Sequence, residues 1–375
     1  MTLAFSAGRD IASVGHHFFI GLQPGAALTD HDKRLLSALR PAGVILFKRN
    51  FEAGLGYDDW LERHARLIAG VRGCVGRDEL FIAIDHEGGS IVRPPRPITV
   101  FPQAADWADR SFEVAEAMGT ELASLGVNVS FAPVLDIDSN PKNPVIGRRA
   151  FGTMPPPVIE SACRFVDGIE RAGVLACGKH FPGHGDTETD SHFELPVLDA
   201  DLATIRGREL VPFEALVRHG IGMIMTAHIL FSRIEPETPA TMSRDLIEGV
   251  LRREMGFDGV VTSDDIGMHA VSRLFESAEA TVRTINAGCD LIMVCSHRTD
   301  TARAYGFAEA ILDGLRRGEI AEATLAASFA RVERLLARAP CHAVRRLPDE
   351  TLAGHAALAE AIRNGAPEHY PASVV

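Results

Sequence analysis

The chain has 375 residues, 46% of them apolar and 23% charged, a balance that excludes wholesale disorder and supplies enough apolar material for a sizeable core. Asp and Glu outnumber Lys and Arg by 50 to 38, and the formal charge of −12 repels phosphate backbones and anionic lipid, which argues against nucleic-acid and membrane partners. No apolar run approaches the roughly 20 residues of a membrane-spanning helix, and the first residues lack the basic start and apolar stretch of a secretory signal, so a cytoplasmic protein is expected.

In chain order the sequence repeats one unit: a short apolar run, a polar loop, then a stretch with helical spacing. The apolar runs fall at residues 17–22, 43–47, 80–84, 127–134, 174–180, 223–228, 259–263 and 290–294. Between them, Ala115, Met118, Leu122 and Leu125 keep helical steps before Gly126, and Val271, Leu274, Ala278, Val282 and Ile285 do so before Gly288. Leu325, Phe329, Val332 and Leu336 mark a further helix. Near-continuous apolar strands alternating with helices imply a parallel sheet covered by helices, and eight such units predict a closed (β/α)8 barrel. A doubly wound open sheet is the rival, weakened because no Gly-x-Gly-x-x-Gly spacing follows the first run. Residues 1–340 are expected to form the barrel and 341–375 a peripheral C-terminal helical extension. The six cysteines, Cys74, Cys163, Cys177, Cys289, Cys295 and Cys341, are scattered and read as reduced thiols acting as small hydrophobes.

Chemistry in such a barrel sits where the strands end. The third run leads into Asp85-His86-Glu87-Gly88-Gly89, the fourth into Asp136 and Asp138, the fifth into Lys179-His180, the sixth into His228 and the seventh into Asp264-Asp265. The densest polar stretch, from Lys179 to His192, holds His180, His184, Asp186, Asp190 and His192 around Gly183 and Gly185. Those side chains permit two readings. A metal-dependent hydrolase would use them as ligands, although their spacing matches no compact zinc signature. Alternatively Asp190 orients His192 for proton transfer, on a loop whose glycines suggest mobility. Of Asp264 and Asp265, alternate faces of a strand leave one toward substrate, able to attack an electron-poor carbon.

The stretch from Lys179-His180-Phe181-Pro182-Gly183-His184-Gly185-Asp186 to Asp190-Ser191-His192 resembles the signature of bacterial family 3 glycoside hydrolases of the β-N-acetylglucosaminidase type. Ile84-Asp85-His86-Glu87-Gly88-Gly89, Phe131-Ala132-Pro133-Val134-Leu135-Asp136, Ile146-Gly147-Arg148-Arg149-Ala150-Phe151-Gly152, Met225-Thr226-Ala227-His228 and Ser263-Asp264-Asp265-Ile266-Gly267-Met268 look like further motifs of that family, in its order. The resemblance implies a TIM barrel and a retaining hydrolysis, with Asp264 as nucleophile, His192 as general acid/base and Asp190 as its partner. It implies sugar-binding roles for Asp85, Arg93, Arg149, Lys179 and His180, a carbohydrate substrate, and no cofactor or metal. Family members without a signal remove N-acetylglucosamine from muropeptides during cell-wall recycling, and the same is expected here, from a monomer. Phosphorolysis, a β-glycosidase of other sugar specificity and a sugar-binding barrel without activity are the competing outcomes. His86 and Ser90 depart from the family's usual glutamine and basic residue, and are expected to alter the sugar or aglycone preferred.

Overall fold

All eight apolar runs become strands of one closed parallel barrel, which excludes the open sheet. The computed structural model describes residues 10–191, 194–295 and 300–365. In chain order the barrel strands are β1 (Phe18–Gly21), β2 (Gly43–Leu46), β3 (Phe81–Ile84), β4 (Val129–Ser130), β5 (Leu175–Phe181), β6 (Met223–Thr226), β7 (Val260–Asp265) and β8 (Leu291–Val294). Each pairs with the next, and β8 returns to β1 with Ile292 opposite Phe18. A two-stranded piece, Val197–Leu198 beside Leu230–Phe231, lies outside the ring.

Alternation along the strands sends Phe19, Phe81, Val129, Leu175, Met223, Val260 and Leu291 into a cluster inside the barrel. Their neighbours Val44, Leu46, Ile82 and Ile84 face one group of helices, and Phe18, Ile20, Ile292 and Val294 face another. Gly43 makes room for the interior rings, since a Cβ there would lie 2.4 Å from Phe19 and 2.6 Å from Phe81.

The departures from the sequence pattern have local causes. The fourth run yields only two residues of regular strand, because Pro133 has no N–H to donate and its ladder continues irregularly, with Cys177 N–H donating to Ala132 O at 2.9 Å. The helix expected from Val271 onward begins instead at Ala278, where the Ser277 hydroxyl caps the Glu279 N–H at 3.1 Å. Leu274 is left exposed in the preceding turn. Gly126 and Gly288 take the left-handed conformation at the ends of their helices, at φ 77° and 105°.

The C-terminal helix, Asp349–Gly365, is present, but the segment leading to it is stitched to the barrel rather than peripheral. Asn128 Nδ2 donates to Pro340 O at 3.1 Å, His342 Nε2 to Gly173 O at 2.8 Å and Arg345 N–H to Ser124 O at 2.8 Å. These bonds satisfy the carbonyls of Ser124, at the end of the helix before β4, and Gly173, just before β5, while the Asn128 side chain holds Pro340. The helix then places His355 Nδ1 2.9 Å from the buried carboxylate of Glu121.

Asp290, fully buried just before β8, is the other knot at this end. It accepts from Arg252 at 2.7 Å, from Arg331 at 2.8 and 3.0 Å and from Val261 N–H at 2.8 Å. Removing the carboxylate strands two largely buried guanidinium groups, so Asp290→Ala is expected to lower the unfolding free energy by about 3–5 kcal/mol. Urea denaturation checks this, and a loss of only about 0–1 kcal/mol, as for an exposed ion pair, would contradict the assignment.

Candidate active site

The C-terminal ends of β2, β3, β7 and β8 surround a pocket of about 350 Å³. Its charged wall is Lys48, Arg49, Asp85, Arg93, Asp264 and Asp265, and its apolar wall includes Phe47, Phe131, Met225, Met268, Met293 and Cys295. The two aspartates at the end of β7 differ in what holds them. Asp265 is buried and its Oδ1 accepts from Gly267 N–H at 2.9 Å and Cys295 N–H at 3.1 Å, so it ties β7 to β8. Asp264 is more exposed, with Oδ1 steadied by Asp265 N–H at 2.7 Å.

Behind Asp85 runs a chain of alternating charges. Arg93 donates to Asp85 Oδ2 at 3.2 Å, and Lys179 Nζ lies 3.0 Å from Asp85 Oδ1 and 2.6 Å from Glu87 Oε1. Arg149, from the turn Gly147–Arg149, closes the chain with a two-pronged grip on Glu87 at 2.8 and 2.9 Å. The Lys179 side chain is only 3% exposed. Burial alone would raise the Asp85 and Glu87 carboxyls, but Lys179 beside Asp85 and Arg149 beside Glu87 hold both below the usual range. Burial acts to lower the Lys179 ammonium and the Arg149 guanidinium, and Glu87 overrides it, holding both above their ordinary values.

The fifth strand carries the next group. His180 Nδ1 donates to the buried Asp136 at 2.6 Å, and the His184 backbone N–H reaches the other oxygen of that carboxylate at 2.6 Å. Burial opposes ionisation of Asp136, yet His180 holds its carboxyl below the usual range. The glycines of this segment allow close packing. A Cβ on Gly185 would lie 1.7 Å from Ile137 O, and one on Gly183 would lie 2.7 Å from Glu209 Cβ. Asn143 further fixes the His184 and Gly185 carbonyls at 2.8 and 3.1 Å.

Of the residues singled out from sequence, Asp85, Arg93 and Asp264 share the pocket wall. Lys179 and Arg149 join them through the ionic chain, and His180 is held alongside by Asp136. Asp190 is half-buried in the turn after Thr187, its carbonyl accepting from Glu194 N–H at 3.1 Å. His192 lies outside the described residues. Neither departure from the family pattern reaches the pocket: His86 is buried with no hydrogen-bond partner on either ring nitrogen, and Ser90 is exposed. Lys48, Arg49 and Met268 line the pocket without having been singled out for it, and Glu87 and Asp136 hold its machinery together. Among the described residues no three His, Cys, Asp or Glu side chains converge as a metal-binding group, and no helix is long and apolar enough to cross a membrane.

Residues 19–335 match the Glycosyl hydrolase family 3 N terminal domain. The chain is 39% identical over 293 residues to a Beta-hexosaminidase of Thioalkalivibrio sulfidiphilus, covering 74% of this chain and 80% of that protein. It is 37% identical over 283 residues to the Beta-hexosaminidase of Idiomarina loihiensis, covering 73% and 82%. Among solved structures it superposes on a glycoside hydrolase family 3 β-N-acetylglucosaminidase from Paenibacillus sp. with a TM-score of 0.84 at 34% identity, over 96% of this chain and 68% of that one. It also superposes on NagZ from Neisseria gonorrhoeae in complex with N-trifluoroacetyl-D-glucosamine with a TM-score of 0.70 at 28% identity, over 92% and 96%.

Burial gives the site an acid limit. Desolvation holds His86 and His184 at about 4, and likewise His17, just before β1, and His64, on the helix that follows β2. The unfolded chain takes up these protons near pH 6.5 and the folded protein only near 4, so stability falls as pH drops through that window. Each histidine contributes up to about 1.4 kcal/mol per pH unit. The depressed carboxyls of Asp85, Glu87 and Asp136 act below that window, their contribution present above the unfolded carboxyl range and lost only in stronger acid. Urea midpoints should therefore drop steadily from pH 7 to pH 5, whereas a constant midpoint would contradict neutral burial of the imidazoles.

Proposed function

The chain belongs to glycosyl hydrolase family 3, and from that premise we propose that it is a retaining exo-β-N-acetylglucosaminidase that releases a terminal β-linked N-acetylglucosamine. The observation that carries the reading is the placement of the Asp264 carboxylate at the end of β7, on the wall of the pocket it shares with Asp85 and Arg93. A volume of about 350 Å³ is at the small end for ligand pockets, as suits one terminal sugar ring.

In this reading Asp264 attacks the anomeric carbon while protonated His192, oriented by Asp190, gives a proton to the departing oxygen. A covalent glycosyl-enzyme forms. Neutral His192 then takes a proton from water, whose attack frees the sugar with its β configuration retained. Asp85 accepts from sugar hydroxyls and Arg93 donates to them from the pocket wall, with Lys179, His180 and Arg149 completing the cradle from beneath. The natural substrate in this reading is a muropeptide released during cell-wall recycling, met in the cytoplasm by the monomeric enzyme.

Two assays test the proposal. The protein should cleave 4-nitrophenyl β-N-acetylglucosaminide in strong preference to the corresponding glucoside, with the β anomer appearing first by NMR. Asp264→Ala should fold normally and lose roughly 10³-fold or more in turnover. Initial release of the α anomer, or an active Asp264→Ala protein, would overturn the mechanism.

A further inference from the structure

His184 is buried, yet the pocket chemistry uses neither of its ring nitrogens. Both are engaged within its own loop. Nδ1 lies 2.8 Å from the Thr187 hydroxyl, and Nε2 lies 3.0 Å from the Ser191 hydroxyl. A neutral imidazole offers one donor and one acceptor, and a hydroxyl can fill either role, so one ring satisfies both contacts. Burial keeps the ring neutral across the physiological range.

The position of that ring is set from behind. The His184 N–H is fixed on Asp136, its carbonyl on Asn143, and Gly185 is pressed against the Ile137 carbonyl with no room for a side chain. Residues 180–187 therefore form a rigid base. The next three residues are exposed or half-buried, and the chain turns inward again only at Ser191, which is 3% exposed. Ser191 is joined by peptide bonds to Asp190 on one side and His192 on the other.

We propose that His184 is a positioning residue: its bond to Ser191 latches the start of the proton-transfer segment to the rigid base, and so sets where Asp190 and His192 operate. The inference rests on the acid/base roles proposed above for those two residues. The Ser191 hydroxyl lies outside the pocket wall that carries the nucleophile and the sugar-binding groups, so loss of the latch from that side acts only on steps that need a delivered proton.

The experiment compares kcat/KM, which reports formation of the glycosyl-enzyme, for two N-acetylglucosaminides. Methoxide must be protonated to leave, as methanol, whereas 2,4-dinitrophenolate leaves without a proton. Ser191→Ala, which removes a single oxygen atom, should cost the methyl glycoside about 10–100-fold, a fraction of what general acid catalysis supplies. The dinitrophenyl glycoside should change by less than about 3-fold on the same principle. His184→Ala should show the same selectivity, and the double variant should be no worse than the worse single one, since both remove one bond. Unchanged melting temperature and unchanged inhibition by free N-acetylglucosamine establish that fold and sugar binding survive in Ser191→Ala, which carries the test if His184→Ala fails to fold. Equal losses on both substrates, no loss on either, or losses that multiply in the double variant would overturn the latch while an inactive Asp264→Ala protein left the proposed function standing. An active Asp264→Ala protein would remove both.

Discussion

An ammonium group enclosed between two carboxylates sets the geometry of the barrel's working end. Lys179 leaves β5 and meets Asp85 and Glu87, two residues apart after β3, so the ends of strands that never touch are drawn to one point. Arg93 and Arg149 complete the arrangement, and the five groups together carry one positive charge in excess. Of these cations Arg93 shares the pocket wall with Asp85 and Asp264, where a positive charge offsets the repulsion between two carboxylates. A buried ion chain of this kind adds little to stability but specifies one arrangement of its members, which is what a site for a polar sugar requires.

The opposite walls of the pocket divide the remaining work. Met225, Met268, Met293 and Phe131 give the floor an apolar surface suited to a sugar ring face, while the charged side offers the donors and acceptors that the proposed function uses on hydroxyls. Rigidity is graded around this cavity. The barrel strands and the packed segment through Gly185 hold fixed positions, and the residues that follow are tied back to it by the Thr187 and Ser191 hydroxyls, one on each ring nitrogen of His184. In the proposed mechanism proton delivery thereby has a different mechanical footing from nucleophilic attack, which would issue from the end of β7.

The barrel was legible because each strand is a short, almost unbroken apolar run, a pattern that survives only where both faces are covered. Asp85 and Asp264 were legible for a related reason, as acids placed where such runs stop. What escaped were partnerships across sequence distance. Lys179 meets Asp85 across 94 residues and Arg149 meets Glu87 across 62, and no local spacing announces either. Glu87 and Asp136 stood in quoted motifs but carried no assigned task, because their partners lie on other strands. Gly183 and Gly185 were ambiguous in sequence: a missing side chain permits freedom in an open loop and close approach in a crowded one, and the neighbours Glu209 and Ile137 show that close approach is used here.

The way the ring is sealed also bears on how the protein is made. Its first strand has no second edge partner until Ile292 and its neighbours arrive, and the strand beginnings at Asn128 and Gly173 wait for Pro340 and His342. A ribosome delivering about 5–20 residues per second has therefore added more than 300 residues after β1 before the last of these contacts can form. For tens of seconds the nascent chain presents unpaired edges, and a chaperone that shields them until those partners arrive would suit this topology better than domain-by-domain folding.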